Sequence, residues 1–440
     1  MNILLLSNRP TANTQAETVT EYLDSFSKYS DHNIYEISML HYFPERIDLN
    51  RFDAVITHYS LSIGPMLNHY LGPNLVRQLK SFKGLKAAFL QDEYREIKTY
   101  WKHINELGIN VLFSCLPSDE VSKVYPQIEV PNLQVVNVLT GYVPEALLQQ
   151  SVMPINHRPI DVGYRTRKMW YWLGALAHEK WFISEEFKRL ATAKNLDLKL
   201  DLSNREGDRL YGKAWTNFVA SCRTVLGVES GASIIDFDGL LERRVDQYTS
   251  KNPGATFEEV SELFLKPFEG SLRLHQISPR CFEAAALRTP MILFEGTYSG
   301  VLQPERHYIP LRKDFSNFDE VIIKIKDNSY LQRLADRTYQ EIALNPRWSY
   351  RSFVNIIDEA VKIGVQSQKT TISLNPYVRS EFDQDLKRSF RYNMKRQIAL
   401  NTQAVFLRKP IFRKALFGLW HSLPYPIQKM IRPLTKIISR

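Results

Sequence analysis

Cysteine is scarce in this 440-residue chain: Cys115, Cys222 and Cys281 are the only three, far apart and odd in number. They form no C-x-x-C pair, so a disulfide framework and a zinc site are both excluded as expectations, and a reducing compartment fits. Long apolar runs are lacking as well. No uncharged stretch approaches the roughly eighteen residues a membrane-spanning helix needs. The opening MNILLLSNRP holds a four-residue apolar run from Ile3 to Leu6 with no basic flank, which reads as a first buried strand and not as a secretion signal. No Walker loop, no nucleophile-elbow serine and no G-x-G-x-x-G occurs, so ATPase, hydrolase and dehydrogenase readings have no support. No solenoid repeat or low-complexity segment is present.

Negative charge is missing from one end. Residues 386–440 carry thirteen Lys or Arg and no Asp or Glu, so against a net charge of +10 for the whole chain the first 385 residues carry −3. The basicity belongs to a tail, which argues against a nucleic-acid groove in the body. Within that tail Phe412, Leu416, Leu419 and Trp420, and further on Ile427, Met430, Ile431, Leu434, Ile437 and Ile438, recur at helical spacing beside basic residues. That pattern suits an interfacial helix on anionic lipid. The expectation is a cytoplasmic protein, peripheral on the inner face of the membrane through residues 386–440.

What is present in quantity is apolar residue content, 44% with 12% aromatic, enough for well-packed cores. Length predicts more than one of them. Ile3–Ser7, Ala54–Thr57, Ala87–Leu90, Val111–Ser114 and Gln134–Val138 read as strands separated by helical or turn-rich segments. A Thr14-x-x-Glu17 capping box opens the first helix, and Val19, Tyr22, Leu23 and Phe26 form its buried stripe. The pattern breaks near Met153–Pro159. It resumes with strands at Ile160–Tyr164, Leu196–Leu200, Thr224–Val228 and Met291–Phe294, and helices at His178–Asn195, Tyr211–Cys222, Ser278–Leu287, Asp319–Lys326 and Tyr330–Leu344. Phe353, Ile356, Ile357, Ala360 and Val361 give a last amphipathic helix ending at Gly364. Strand–helix alternation in two runs predicts an α/β protein of two Rossmann-like domains, residues 1–152 and 160–364, facing a cleft, followed by a basic helical tail over 377–440.

The densest chemical signal is Ile277-Ser-Pro-Arg-Cys-Phe-Glu-Ala-Ala-Ala-Leu-Arg-Thr-Pro-Met-Ile-Leu-Phe-Glu-Gly-Thr-Tyr-Ser-Gly300, followed by Pro304-Glu-Arg-His-Tyr-Ile-Pro-Leu311. A short helix there fixes one carboxylate, Glu283, beside small residues, where it is suited to accept hydrogen bonds from a vicinal diol such as a ribose. The turn containing Gly296, Tyr298, Ser299 and Gly300 is expected to offer backbone amides to an anion.

This segment resembles the C-terminal domain of GT-B glycosyltransferases of the group related to family 4. The resemblance covers residues 160 to 364 with motifs, and the N-terminal half in strand order only. It implies a nucleotide-sugar donor held by the C-terminal domain, with a glycan or lipid-linked acceptor on the N-terminal side. Glu283 matches the ribose-holding Glu. Many relatives carry a second Glu eight positions earlier, and here that position is His275. The resemblance further implies retention of configuration and no metal or other cofactor, the leaving diphosphate being neutralised by cations. Arg165, Arg167 and Lys180 are the candidates, and Arg280 is expected among the donor-binding residues.

Asp236-Phe237-Asp238 has the D-x-D form of metal-dependent transferases, but acidic residues also favour turns for local hydrogen-bonding reasons. In the N-terminal half His58, Asp92 and Glu93 follow predicted strands and are expected on the cleft rim, His58 toward the donor sugar and Asp92 or Glu93 toward an acceptor hydroxyl or as base. The same architecture hosts nucleotide-sugar 2-epimerases, and a non-catalytic sugar- or nucleotide-binding protein on a membrane is a third reading.

Overall fold

The computed structural model describes residues 1–10, 17–367, 373 and 375–398. Thr14 of the expected capping box and the two apolar stripes between 412 and 438 lie outside these residues.

Among the described residues eleven strands form two wholly parallel sheets. The first takes β1 (Asn2–Ser7), β2 (Asn33–Ser38), β3 (Ala54–Thr57), β4 (Leu85–Leu90), β5 (Val111–Ser114) and β6 (Gln134–Asn137) in the order β2-β1-β3-β4-β5-β6. The second takes β7 (Ile160–Arg165), β8 (Leu200–Ser203), β9 (Cys222–Gly227), β10 (Met291–Phe294) and β11 (Ile309–Leu311) in the order β11-β10-β9-β7-β8. Counted along the chain, the first sheet runs 2-1-3-4-5-6 and the second 2-1-3-4-5, the doubly wound order, and this is the pair of Rossmann-like units expected. β1 is buried along its whole length, as a central parallel strand covered on both faces must be. In such sheets ligands gather outside the carboxyl ends of the strands, where the order reverses.

The helices that bear on the site are α1 (Glu17–Tyr29), α2 (Ala175–Ala193), α3 (Gly212–Ala220), α4 (Leu240–Lys251), α5 (Pro279–Ala286), α6 (Tyr350–Ser367) and α7 (Arg379–Arg388). Two observations correct the expected boundaries. First, α6 packs on the first sheet, not the second: the Phe353 ring meets Tyr22 at 4.8 Å and Phe26 at 5.8 Å, and Val354, Ile357 and Val361 are fully buried in the same core. It also runs past Gly364, where a Cβ would come within 2.9 Å of Leu85, so this glycine permits close approach and does not end the helix. Second, the segment expected to begin the basic helical tail is seated on the first unit. Tyr377, Phe382 and Tyr392 join its core, and the Tyr392 hydroxyl donates to Ser38 O at 2.6 Å.

Two smaller differences have local causes. β2 went unpredicted because Asn33-Ile-Tyr-Glu-Ile-Ser38 is a short edge strand with a polar alternate face. β8 starts four residues later than expected, since Leu196, Leu198, Leu200 and Leu202 all point one way and the alternation alone leaves the start open.

Between β9 and α5 a long insertion builds a small core around Ile234, Val245 and Leu265, into which the loop after β7 places Trp172. It clamps the first unit. Arg95 makes a two-pronged ion pair with Glu242, which is 2% exposed, while Asp236 N donates to Tyr94 O at 2.9 Å and Lys98 N to Phe237 O at 3.0 Å. No helix among the described residues is long and apolar enough to cross a membrane.

Candidate functional site

A cavity of about 370 Å³ lies where the carboxyl ends of the two sheets meet. One wall comes from the segments after β5 and β6, including Asp119 and Thr140, and the other from His275, Gln276, Ser299 and Gly300. Thr140 Oγ1 donates to Ile277 O, and Arg273 ion-pairs with Asp119, so the walls are tied at both ends. His275 is half-buried and lines the cavity.

Beside the cavity, α5 presents Glu283. Ser278 precedes Pro279 at the first helical position, the arrangement that starts a helix without losing a needed N–H. Glu283 is 8% exposed, and its Oε2 accepts from Trp215 Nε1 of α3 at 2.7 Å, which leaves Oε1 without a hydrogen-bond partner among the described residues. Burial raises its pKa, and the Trp215 bond partly offsets this. Glu21 of α1 approaches from the other unit. Its carboxyl is pushed up to about 8, chiefly by burial and next by the charge of Glu283.

One turn earlier on α5, the Arg280 guanidinium lies over the Trp215 ring at 4.8 Å and donates to Arg165 O. Lys180 of α2 is near enough to feel Arg280, Arg167 and Asp92, and burial lowers its pKa to about 8. Arg167, in the loop after β7, is likewise lowered by burial. None of Arg167, Lys180 and Arg280 makes an ion pair among the described residues. Three cations beside a cleft, none held in a salt bridge among the described residues, are chemically suited to an anion with several oxygens.

Several expected contacts fall elsewhere. Arg165 turns away to Asp201, at 2.8 Å, and stacks on Phe218, so it ties β7 to β8. His58 is fully buried against Tyr59 and Phe89, its Nδ1 accepts from Ser60 N at 3.2 Å, and burial drives its pKa down to about 3. Glu93 is 1% exposed and accepts from Ser114 at 2.6 Å and Tyr125 at 2.7 Å, so it holds the first core together. Of that pair only Asp92 is exposed, with the Tyr94 hydroxyl donating to its Oδ1. The Tyr298 side chain is fully buried and its hydroxyl donates to Phe294 O at 2.6 Å. Asp236 caps α4, accepting from Gly239 N at 2.9 Å and Glu242 N at 2.8 Å.

Sequence reading missed Glu229. Its Oε1 accepts from Thr297 N at 3.0 Å, Thr297 Oγ1 at 2.9 Å and Tyr298 N at 2.6 Å. The glycine turn that was expected to cradle an external anion is therefore filled by the protein's own carboxylate. A Cβ on Gly296 would lie 2.5 Å from Glu229 Oε2, so glycine is required there. Ser299 and Gly300 remain exposed toward the cavity.

No family model and no curated protein matches this chain. Among solved structures it is similar to an alpha-glucosyltransferase in complex with UDP and a 13-mer DNA containing an HMU base, at 11% identity over 81% of this chain and 99% of that one, with a TM-score of 0.45. It is also similar to HepE from Anabaena in complex with UDP-glucose, at 10% identity over 83% and 100% of the two chains, TM-score 0.44. TarM is similar at 11% identity over 71% of this chain, TM-score 0.37, and the chain spans 54% of TarM's length.

Proposed function

We propose that the protein is a GT-B glycosyltransferase that moves a sugar from a nucleotide-sugar donor to a glycan or lipid-linked acceptor. One observation carries this reading: a buried carboxylate, Glu283, is fixed by Trp215 one helical turn from Arg280, with Lys180 and Arg167 near that arginine, and none of the three cations sits in a salt bridge among the described residues. A nucleoside diphosphate needs both features together, a diol acceptor and a multivalent cation cluster.

In this reading Glu283 Oε1 accepts from the ribose hydroxyls, and Arg280, Lys180 and Arg167 bind the diphosphate. The donor sugar enters the cavity, where His275 hydrogen-bonds a hydroxyl. The bond from the anomeric carbon to the diphosphate breaks and a bond to the acceptor oxygen forms. The acceptor proton leaves with the diphosphate, whose growing charge the three cations stabilise without calling on a metal ion. Asp92, with Oδ2 open, orients the acceptor hydroxyl. The family resemblance points to retention at the anomeric carbon.

Product analysis tests the reaction class. With donor and a mixed glycan acceptor, a glycosylated product is expected. Epimerised nucleotide sugar from donor alone would replace this reading with the isomerase.

Membrane attachment belongs to the same proposal. After α7, Phe390 is 72% exposed and Met394 42% exposed, one helical turn apart and flanked by Arg391 and Lys395, while Tyr392 anchors the opposite side. The double change Phe390→Ser with Met394→Ser is expected to reduce sedimentation with phosphatidylserine vesicles. Unchanged sedimentation would remove this segment from the membrane contact.

A further inference from the structure

The loop between β7 and α2 carries two tryptophans with opposite fates. Trp172 is 2% exposed, inside the small core of the insertion, whereas Trp170 is 49% exposed at the junction of the two units. Leaving so much aromatic surface in water forgoes burial worth about 25 cal/mol per Å², and such residues mark contact sites when they are rigidly held.

Three side chains flank Trp170. Its ring is near-parallel to Trp172, with centroids 6.5 Å apart, and the Arg95 guanidinium lies 6.0 Å from it. Arg95 is itself locked by Glu242. Arg167 lies 5.7 Å from the Trp170 centroid, and Asp92 is among the charges acting on Arg167. Asp92 in turn neighbours Gln91, whose Nε2 donates to Thr140 O at 3.2 Å on the cavity wall. Trp170 and Arg167 therefore neighbour Asp92 at the seam between the units, and Gln91 ties that segment to the cavity wall.

A pyranose ring has an apolar C–H face and a rim of hydroxyls. An indole face suits the first, and a carboxylate suits the second. We propose that Trp170, with Asp92, forms an acceptor subsite on which a sugar ring of an oligosaccharide stacks. This rests on the transferase reading above and adds the place and chemistry of acceptor recognition.

The test uses the full-length protein and the variants Trp170→Ala and Trp170→Phe. Each is titrated calorimetrically with cellotetraose, maltotetraose, chitotetraose and a hyaluronan tetrasaccharide, and each is also melted with and without nucleotide sugars. At least one tetrasaccharide is expected to bind. Trp170→Ala should weaken that binding on the order of tenfold or more, and Trp170→Phe by no more than about threefold. Any nucleotide-sugar shift should be equal in all three proteins. Absence of tetrasaccharide binding, binding indifferent to Trp170→Ala, or a nucleotide-sugar shift lost on Trp170→Ala would each overturn the subsite. Failure of the donor reading shows separately, as no nucleotide-sugar shift in the unsubstituted protein.

Discussion

The indole N–H of Trp215 donates to Glu283 Oε2 at 2.7 Å, and the same indole ring carries the Arg280 guanidinium on its face at 4.8 Å. One side chain of α3 thus positions both the carboxylate and a cation of the candidate donor site. Trp215→Phe keeps an aromatic face, though a smaller one, and deletes the donor, leaving a buried carboxylate short of one hydrogen bond. Stability should fall by about 1–3 kcal/mol, measured by urea unfolding, with weaker nucleotide-sugar binding in the same variant. A variant as stable as the parent would show that this bond does not order the site.

Lys180 gives the site a pH signature. Burial lowers its pKa to about 8, so in the free protein its charge is lost as pH rises through that value. An arginine there stays charged throughout. UDP affinity of the parent should therefore decline between pH 7 and 9.5, while that of Lys180→Arg should be nearly flat. Parallel pH profiles for the two proteins would remove Lys180 from the diphosphate contact.

Glu21 supplies a second pH effect, this time on stability. Its folded pKa, about 8, lies above the ordinary value of 4.5, so the folded state holds a proton that the unfolded chain has released. Its contribution is fully present below pH 4.5 and is lost as pH rises through about 8. Glu21→Gln should flatten the decline of melting temperature across that window. A decline as steep as the parent's would place the coupling elsewhere.

How far the site was legible in the sequence depended on how far apart its partners lie. Glu283 and Arg280 were readable because a cap, a proline and a row of small residues fix them within one short helix. Glu229 was not, because the turn it fills lies 68 and 69 residues away and nothing local marks a strand-end Glu as a turn cap. His58 and Glu93 followed their strands as read, but strand-end position does not say whether a side chain turns to the cleft or into the core. The aromatic neighbours that bury His58 come in part from β4, about thirty residues on. The stripe on α6 was visible as an apolar face. Which sheet it covers was decided by Tyr22, Phe26 and Phe89, more than 260 residues upstream.

The most direct test of the donor site is a thermal-shift series with UDP-, GDP-, ADP- and CMP-sugars on the parent and on Glu283→Ala. Binding to the folded state raises the melting temperature by mass action. One nucleotide class is predicted to raise it in the parent and to lose most of that shift in Glu283→Ala. No shift with any of the four, or a shift unaltered by Glu283→Ala, would contradict the account.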